Sequence, residues 1–290
     1  MASARMVVAA IKRAGRIRDD AAAAQVALLK AARRDVLNVI GGAVQYRRFH
    51  LAEVLQGIDA AIAQYRSQSQ APAARAIVQA AGAARDKLGA AGVPLRSLYG
   101  VQPQLTQSII SVVNDQVREI WSDLGTGLKV TVRRATLGIL DPFEAIQKLQ
   151  GVFTRTDQWR STEYHAERIM RTEVGRAYEM TGQDELAAAR EAGVDVQKWW
   201  LAIKDERTRE THLAAWEKYK PGGDVGPIDV DEYFEVGNVR LMFPQDPQGD
   251  GDEKDLARET IMCRCSSVPA VGGVSEAFIR EAREMLREAA

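Results

Sequence analysis

The chain has 290 residues, a length that allows a buried core and two lobes. It is 46% apolar and 27% charged, which is ordinary globular composition and excludes disorder as the default expectation. The formal net charge is zero, yet residues 1–140 carry 19 Lys and Arg against 9 Asp and Glu, whereas residues 141–290 carry 20 against 30. A basic first half and an acidic second half are typical of a protein that docks through complementary charge. Two solvated surfaces of opposite sign explain the same numbers equally well.

The cysteine count and the apolar runs exclude two further classes of protein. Cys263 and Cys265 are two residues apart, so a disulfide between them would be strained, and reduced thiols or metal ligands are expected instead. No apolar run approaches the ~20 residues of a membrane span. The apolar segment 6–11 is too short for a signal peptide and is followed by basic residues. We therefore expect a protein that is made and used in a cytoplasm.

Residues 1 to about 125 are predicted to form helices that pack as an elongated bundle. Alanine is abundant there, and apolar residues recur three and four positions apart, most clearly over 51–62 and 105–121. Narrow apolar stripes of this kind usually face partner helices rather than the core of a compact enzyme domain. The segment 122–127, Ser-Asp-Leu-Gly-Thr-Gly, is the predicted boundary of this region.

The remaining residues mix helix and strand patterns. Asp141-Pro142 indicates a helix start, and a long helix is predicted from His165 to about Ala192, where Gly193 ends it. The other predicted elements are a strand over 194–203, a loop leading into a short helix that ends near Tyr219, a hairpin around Gly237-Asn238, a loop over 245–253, a strand over 261–268 and a charged C-terminal helix. The predicted fold class is α+β. It comprises an N-terminal helical region (1–125), a domain of helices with a small, mainly antiparallel sheet (126–270) and a charged helix (271–290).

The predicted long helix carries a polar cluster of Arg168, Arg171, Thr172, Glu173 and Arg176 within two turns. A helix face with salt bridges three and four residues apart explains this spacing without any further function. The alternative is a buried polar network in which Glu173 pairs with an arginine of the loop over 205–209. Neither interpretation implies catalysis, and we predict no catalytic residue.

A second polar cluster follows the strand that carries Trp199-Trp200. Asp205, Arg207, Arg209 and His212 place an acid, two guanidinium groups and an imidazole within eight residues. The arginines could bind a phosphate group, or the cluster could hold the loop together through hydrogen bonds to its backbone. The two tryptophans are expected in the core.

The cysteines suggest a metal site. On a strand, Cys263 and Cys265 would point to the same face, and with His212 and one carboxylate, Asp205 or Asp246, they would supply four zinc ligands. Two other interpretations stay open at this stage. The thiols could be buried structural residues, or one could be a nucleophile with His212 as its base, although no oxyanion hole is evident. Zinc is thus the one cofactor that the sequence suggests.

Four motifs occur in order along the second half of the chain, and together they resemble a known family. They are Arg171-Thr172-Glu173, a Trp followed by Asp205 to His212 with Arg207 and Arg209, Pro244 to Pro247 with Asp246, and Cys263-Arg264-Cys265 with Pro269. The combination resembles the head morphogenesis family of tailed phages, the minor capsid proteins similar to protein F of phage Mu. The resemblance covers about 130–270. The family usually has Asn before its Cys-Arg-Cys, where this chain has Met262.

This resemblance implies a minor capsid protein that acts in head assembly and DNA packaging and binds the portal protein or the major capsid protein. It implies a place in the virion, in the capsid interior or at the portal vertex, and in the host cytoplasm during assembly. No membrane partner, no cofactor and no enzymatic activity are implied. Two alternatives come from the residues themselves. One is a metal-dependent hydrolase carried in the virion, and the other is an internal head protein that binds DNA through its basic first half.

Overall fold

The computed structural model describes residues 4–41, 51–95, 103–140, 142–154 and 161–272. The helices in these ranges are α1 (Ala4–Gly41), α2 (Leu51–Ala90), α3 (Pro103–Thr136), α4 (Pro142–Thr154), α5 (Thr162–Glu191), α6 (Glu210–Tyr219) and α7 (Glu253–Thr260). The strands are β1 (Val196–Leu201), β2 (Ile228–Asp229), β3 (Phe234–Val236), β4 (Val239–Leu241) and β5 (Ser266–Val271). Long helices thus precede a small antiparallel sheet, and the predicted α+β class is confirmed. The predicted C-terminal helix lies, from residue 273 onward, outside the described residues.

The chain divides into two compact units, and each is described by itself. Unit 1 contains Met1–Asp19, Ala76–Ile109 and Arg171–Ala290, and unit 2 contains Asp20–Arg75 and Ile110–Met170. None of the helices in the described ranges has the length and apolar content that a membrane span requires.

Unit 2 is helical, and its interior contains Trp121, whose indole donates a hydrogen bond to Ser69 Oγ at 3.1 Å. The predicted boundary at 122–127 lies inside α3 rather than at a helix end. A Cβ atom at Gly127 would lie only 3.2 Å from Val152 Cγ1, so the glycine permits close side-chain packing against the helix. This glycine-containing segment is therefore part of a continuous helix, and the structure shows no helix end at the predicted boundary.

Unit 1 is built around the sheet β2-β1-β5, in which both neighbours of β1 are antiparallel to it. The register pairs Val196 with Val271 and Leu201 with Ser266. Strands β3 and β4 form the predicted hairpin, and Gly237 adopts the positive φ of 59° that this turn requires.

The core of unit 1 includes residues from the beginning of the chain. Val7, Val8 and Ile11 of α1 are buried in the same cluster as Trp199 and Trp200, which lie in the core as predicted. Burying three such side chains contributes several kcal/mol, at ~1.5–3 kcal/mol each. The core of unit 1 therefore contains residues from both predicted regions, 1–125 and 126–270. The division of the chain into these two regions stays a prediction.

Two element boundaries test the sequence predictions directly. Helix α5 ends as predicted at Gly193, which has a φ of 84°, and the N–H of Val194 donates to the carbonyl of Ala189 at 3.0 Å. The strand predicted over 261–268 is wrong in its first half, because β5 begins at Ser266 and helix α7 precedes it. Helix α7 directly follows the predicted loop over 245–253, in residues for which the sequence pattern predicts no element. Asp252 caps it by accepting a hydrogen bond from the Lys254 N–H at 2.9 Å.

Candidate metal site

Three side chains with metal-ligand chemistry meet in unit 1: His212, Cys263 and Cys265. His212 Nδ1 lies 3.2 Å from Cys265 Sγ and 3.5 Å from Cys263 Sγ. The three ligand atoms lie within 4.8 Å of one another, and all three residues are buried. Tetrahedral zinc with Zn–S of ~2.3 Å and Zn–N of ~2.0–2.1 Å separates neighbouring S and N ligands by roughly 3.5 Å, so the geometry suits this ion.

The histidine is positioned by α6 and by the core around it. His212 is the third residue of that helix, and it lies on the same inward side as Trp216 and Tyr219. The Trp200 ring meets the imidazole edge to face, with ring centroids 5.4 Å apart. These contacts fix the imidazole plane, so Nδ1 faces the two sulfur atoms.

The cysteines lie in the extended segment between α7 and β5 rather than on a strand as predicted. They still converge, because Met262 makes a turn with φ of 55° and the Cys265 N–H then lies 3.4 Å from Cys263 Sγ. Methionine rarely adopts this left-handed conformation, and asparagine adopts it more readily.

Glu259 is the part of the site that sequence reasoning missed. Its Oε2 atom lies 3.0 Å from His212 Nε2 and 2.8 Å from Thr211 Oγ1. A carboxylate on the far nitrogen of a histidine is the usual outer partner of a metal ligand, and it fixes the tautomer that leaves Nδ1 free to coordinate. No spacing rule singles out Glu259, because it precedes Cys263 by four residues in a segment with many carboxylates.

The two carboxylates predicted as the fourth ligand lie elsewhere. Asp205 forms a two-pronged ion pair with the guanidinium of Arg264, with one contact at 2.6 Å. Asp246 accepts hydrogen bonds from the N–H groups of Met242 and Gln248, both at 2.9 Å. Both acids therefore hold loops in place, and the metal-ligand cluster in the described part of the chain has three members.

The Asp205–Arg264 pair predicts a pH-dependent stability. Hydrogen bonds from Arg264, opposed by burial and aided by Thr208, lower the pKa of Asp205 from 3.8 to about 2. Because the pKa is lower in the folded state, the stabilisation is complete above pH 3.8 and is lost as the pH falls toward 2. Asp205→Asn is expected to cost about 1–2 kcal/mol at pH 7. Urea unfolding of both proteins between pH 7 and pH 2 should show the difference in their free energies of unfolding becoming smaller as the pH falls, and a constant difference would contradict the assignment.

Charge in the metal-ligand cluster is shared unequally between the thiols. Burial opposes ionisation of Cys263, but hydrogen bonds from Cys265 and His212 outweigh it and hold its pKa well below the ordinary value. Burial and the neighbouring Cys263 sulfur raise the pKa of Cys265 well above its ordinary value. Burial lowers the pKa of His212, but its interactions with Cys263 raise the pKa overall. The pKa of Cys263 is therefore lowered and that of Cys265 raised, and a divalent cation bound here would displace protons from the thiol and imidazole groups.

Motif residues on α5 and in the loop after β1 form hydrogen bonds to the backbone just before Cys263. Thr172 Oγ1 accepts a hydrogen bond from the Met262 N–H at 3.1 Å, and Arg209 donates to the Ile261 carbonyl at 2.7 Å. Glu173 pairs with Arg176 on its own helix, with both oxygens within 2.8 Å of Nη1. This pair fits the first of the two interpretations, a helix face with salt bridges three residues apart, and the alternative partner in the 205–209 loop is not the one that Glu173 contacts.

The four motifs lie within or next to a region that matches a known family. Residues 144–268 match the family described as Phage Mu protein F like protein. This part of the chain is similar to the phage Mu protein F-like family. The resemblance predicted from the four motifs is thus confirmed, and it supports a phage head morphogenesis protein.

One curated relative shares a shorter stretch with this chain. It is the protein named NAD(+)--arginine ADP-ribosyltransferase EFV from Enterococcus faecalis (strain ATCC 700802 / V583), and the two are 34% identical over 120 residues. The shared stretch is 41% of this chain and 22% of that protein, so the match spans less than a quarter of the relative's length. No solved structure shows a significant match to the chain.

Proposed function

We propose that this protein acts in phage head morphogenesis by binding the portal protein or the major capsid protein. One observation carries the proposal: the residues of the phage Mu protein F-like motifs are used to hold the fold together. Thr172 and Arg209 bind the backbone beside the cysteines, and Arg264 binds Asp205. Because these motif residues contact other parts of the fold, they support a structural role for the domain rather than an active site. This role would place the protein in the virion and, during assembly, in the host cytoplasm.

The surface for such a partner is proposed to lie outside the matched family region. Leu137 and Ile139, which follow α3 in unit 2, are 59% and 62% exposed. Val130 of α3 is also exposed, and large apolar side chains at such exposure are common in protein contact surfaces. The end of α3 and the turn that follows it present these residues, which suits attachment to a larger assembly.

Replacing the exposed apolar pair tests this assignment. Leu137→Asp/Ile139→Asp is expected to reduce recovery of the protein with procapsids or purified portal by about tenfold or more, because burying two carboxylates in an apolar contact is unfavourable. Val225→Asp, at a residue 53% exposed in the matched region, is the control and should leave recovery unchanged. Equal recovery of the double variant and wild type would contradict the proposed surface.

Point variants are needed because a large deletion would be uninformative. Removal of residues 1–125 also removes Val7, Val8 and Ile11 from the core of unit 1. Loss of assembly could then reflect unfolding of the matched domain rather than loss of a contact surface.

We also propose that His212, Cys263 and Cys265 bind one zinc ion with a structural role. Two thiolates and an imidazole are donors that zinc favours, and Glu259 supplies the outer hydrogen bond. Burial of all three ligands opposes access by a substrate.

The runner-up is a metal-dependent hydrolase, which one observation favours. Three protein ligands leave a fourth position on a tetrahedral ion, and a catalytic zinc uses such a position for water. The activity in the name of the E. faecalis relative is not carried over, because the shared residues span 22% of that protein.

A further inference from the structure

A cavity of about 290 Å³ in unit 1 has an unusually basic lining. It lies where α1 meets α5, the loop after β1 and the segment between the two cysteines. Six of its lining side chains carry positive charge, namely Lys12, Arg16, Arg18, Arg171, Arg207 and Arg264. Ile11 and Ile203 supply apolar wall. The cavity is separate from the metal-ligand cluster, although Arg264 stands between the two cysteines in sequence.

Nearby acids balance only part of this charge. Asp19, which also lines the cavity, contacts Arg171 and lies 3.7 Å from Arg18. Asp205 binds Arg264 and lies 3.9 Å from Arg207. Among the described residues that line the cavity, six are cationic and one, Asp19, is acidic.

Two of the cations are available to a ligand. Lys12 and Arg16 have no ion-pair partner among the described residues, and Arg16 is exposed at the cavity. Both lie on α1, one helical turn apart, so their side chains project from the same face of the helix. They can close on an anion without breaking an existing contact.

Arg18 is largely buried, with 12% of its side chain exposed. Its Nη1 donates to the Cys263 carbonyl at 3.2 Å, whereas its buried Nε has no hydrogen-bond acceptor in the described part of the chain. Burial chiefly, and the nearby Arg171 and Arg264, lower the pKa of Arg18, although a guanidinium keeps its proton at neutral pH. A buried cation among like charges raises the energy of the fold, and an anion in the cavity would offset that cost.

We propose that this cavity binds a phosphate group. Planar guanidinium forks match the tetrahedral oxygens of phosphate, and several of them together favour a multiply charged anion over a single carboxylate. None of the described residues that line the cavity is aromatic, so recognition there rests on the phosphate rather than on stacking of a base. The group could belong to a free phosphoanion or to a nucleic-acid backbone.

Calorimetric titration with inorganic pyrophosphate at low ionic strength tests the site on the full chain. Arg16→Glu is expected to weaken pyrophosphate binding by about tenfold or more, because a charge-assisted contact is replaced by repulsion. Lys254→Glu makes the same change of charge at an exposed position of α7 outside the cavity and should leave the affinity within about twofold. Both positions are exposed, and circular dichroism of each variant checks that the helices are retained.

A second arm distinguishes the two sources of phosphate. A blunt DNA duplex without terminal phosphates is added as a competitor, so that only internal phosphodiesters are available. Displacement of pyrophosphate from wild type, together with weaker duplex binding by Arg16→Glu, would identify the backbone as the source. Absence of displacement would identify a free phosphoanion. The proposal is overturned if wild type does not bind pyrophosphate, if Arg16→Glu binds it as tightly as wild type, or if Lys254→Glu weakens it equally.

Discussion

Wild-type protein purified without chelators is expected to contain about one zinc ion per chain, and Cys263→Ser/Cys265→Ser almost none. Serine hydroxyls are much poorer zinc ligands than thiolates, and the imidazole of His212 alone cannot hold the ion. Because metal binding contributes to folding, the double variant is also expected to melt at least ~10 °C lower. Elemental mass spectrometry and thermal unfolding followed by circular dichroism measure the two effects.

A single change outside the ligands sharpens this test. Glu259→Gln keeps the size of the side chain but weakens the hydrogen bond to His212 Nε2, and zinc affinity is expected to fall ~10–100-fold. Glu253→Gln removes an exposed carboxylate from the first turn of the same helix and should not change the affinity. Competition with a chromogenic chelator gives both affinities. Equal affinities for the two variants would mean that Glu259 does not orient the histidine.

The outcomes also separate the structural role from the catalytic one. Zinc removal that lowers the melting temperature supports a structural ion, because the unfolded chain holds no preformed site. Zinc removal that leaves melting unchanged contradicts that role and favours the hydrolase alternative. Wild type without bound metal would leave Cys263 and Cys265 as buried thiols of the core.

Local patterns in the sequence predicted most of the secondary structure. The positive φ at Gly193 and Gly237 ends a helix and makes a hairpin, and both follow from the freedom of glycine at those positions. The expected burial of Trp199 and Trp200 is likewise confirmed. Each of these features depends on residues within a few positions of one another, which is the range over which spacing and propensity act.

Contacts between distant residues could not be predicted in this way. The proximity of His212 to the two cysteines was predicted because the motifs contain few side chains that favour zinc. Asp205 was assigned to that cluster wrongly, since its nearest cation, Arg264, lies 59 positions away. Nothing in the first helix indicates that Val7 and Val8 pack beside Trp200, because an apolar stripe specifies burial but not the partner that provides it.

A buried ion pair near the end of α2 provides the second large effect. Lys87 Nζ donates to the Ser267 carbonyl at 2.6 Å and lies 3.8 Å from Glu179 Oε1, and all three side chains are buried. Burial lowers the pKa of Lys87 and raises that of Glu179, and in each case the opposite charge of the partner opposes the shift. Lys87→Met leaves the carboxyl and the carbonyl without their cation, and is expected to lower the free energy of unfolding by about 3–5 kcal/mol.

A double variant tests whether the loss of unfolding free energy in Lys87→Met comes from leaving Glu179 without its partner. Lys87→Met/Glu179→Gln removes both charges, keeps an acceptor for the Ser267 N–H that Glu179 Oε2 binds at 3.0 Å, and is expected to recover most of the loss. Lys254→Met, at an exposed position of α7, is the control for loss of a lysine and should change the free energy by less than ~0.5 kcal/mol. Urea unfolding supplies all four values, and a double variant no more stable than Lys87→Met would mean that the two groups act independently. A confirmed coupling would show that residue 87, although 57 positions before the matched family region, is part of the folded domain that contains it.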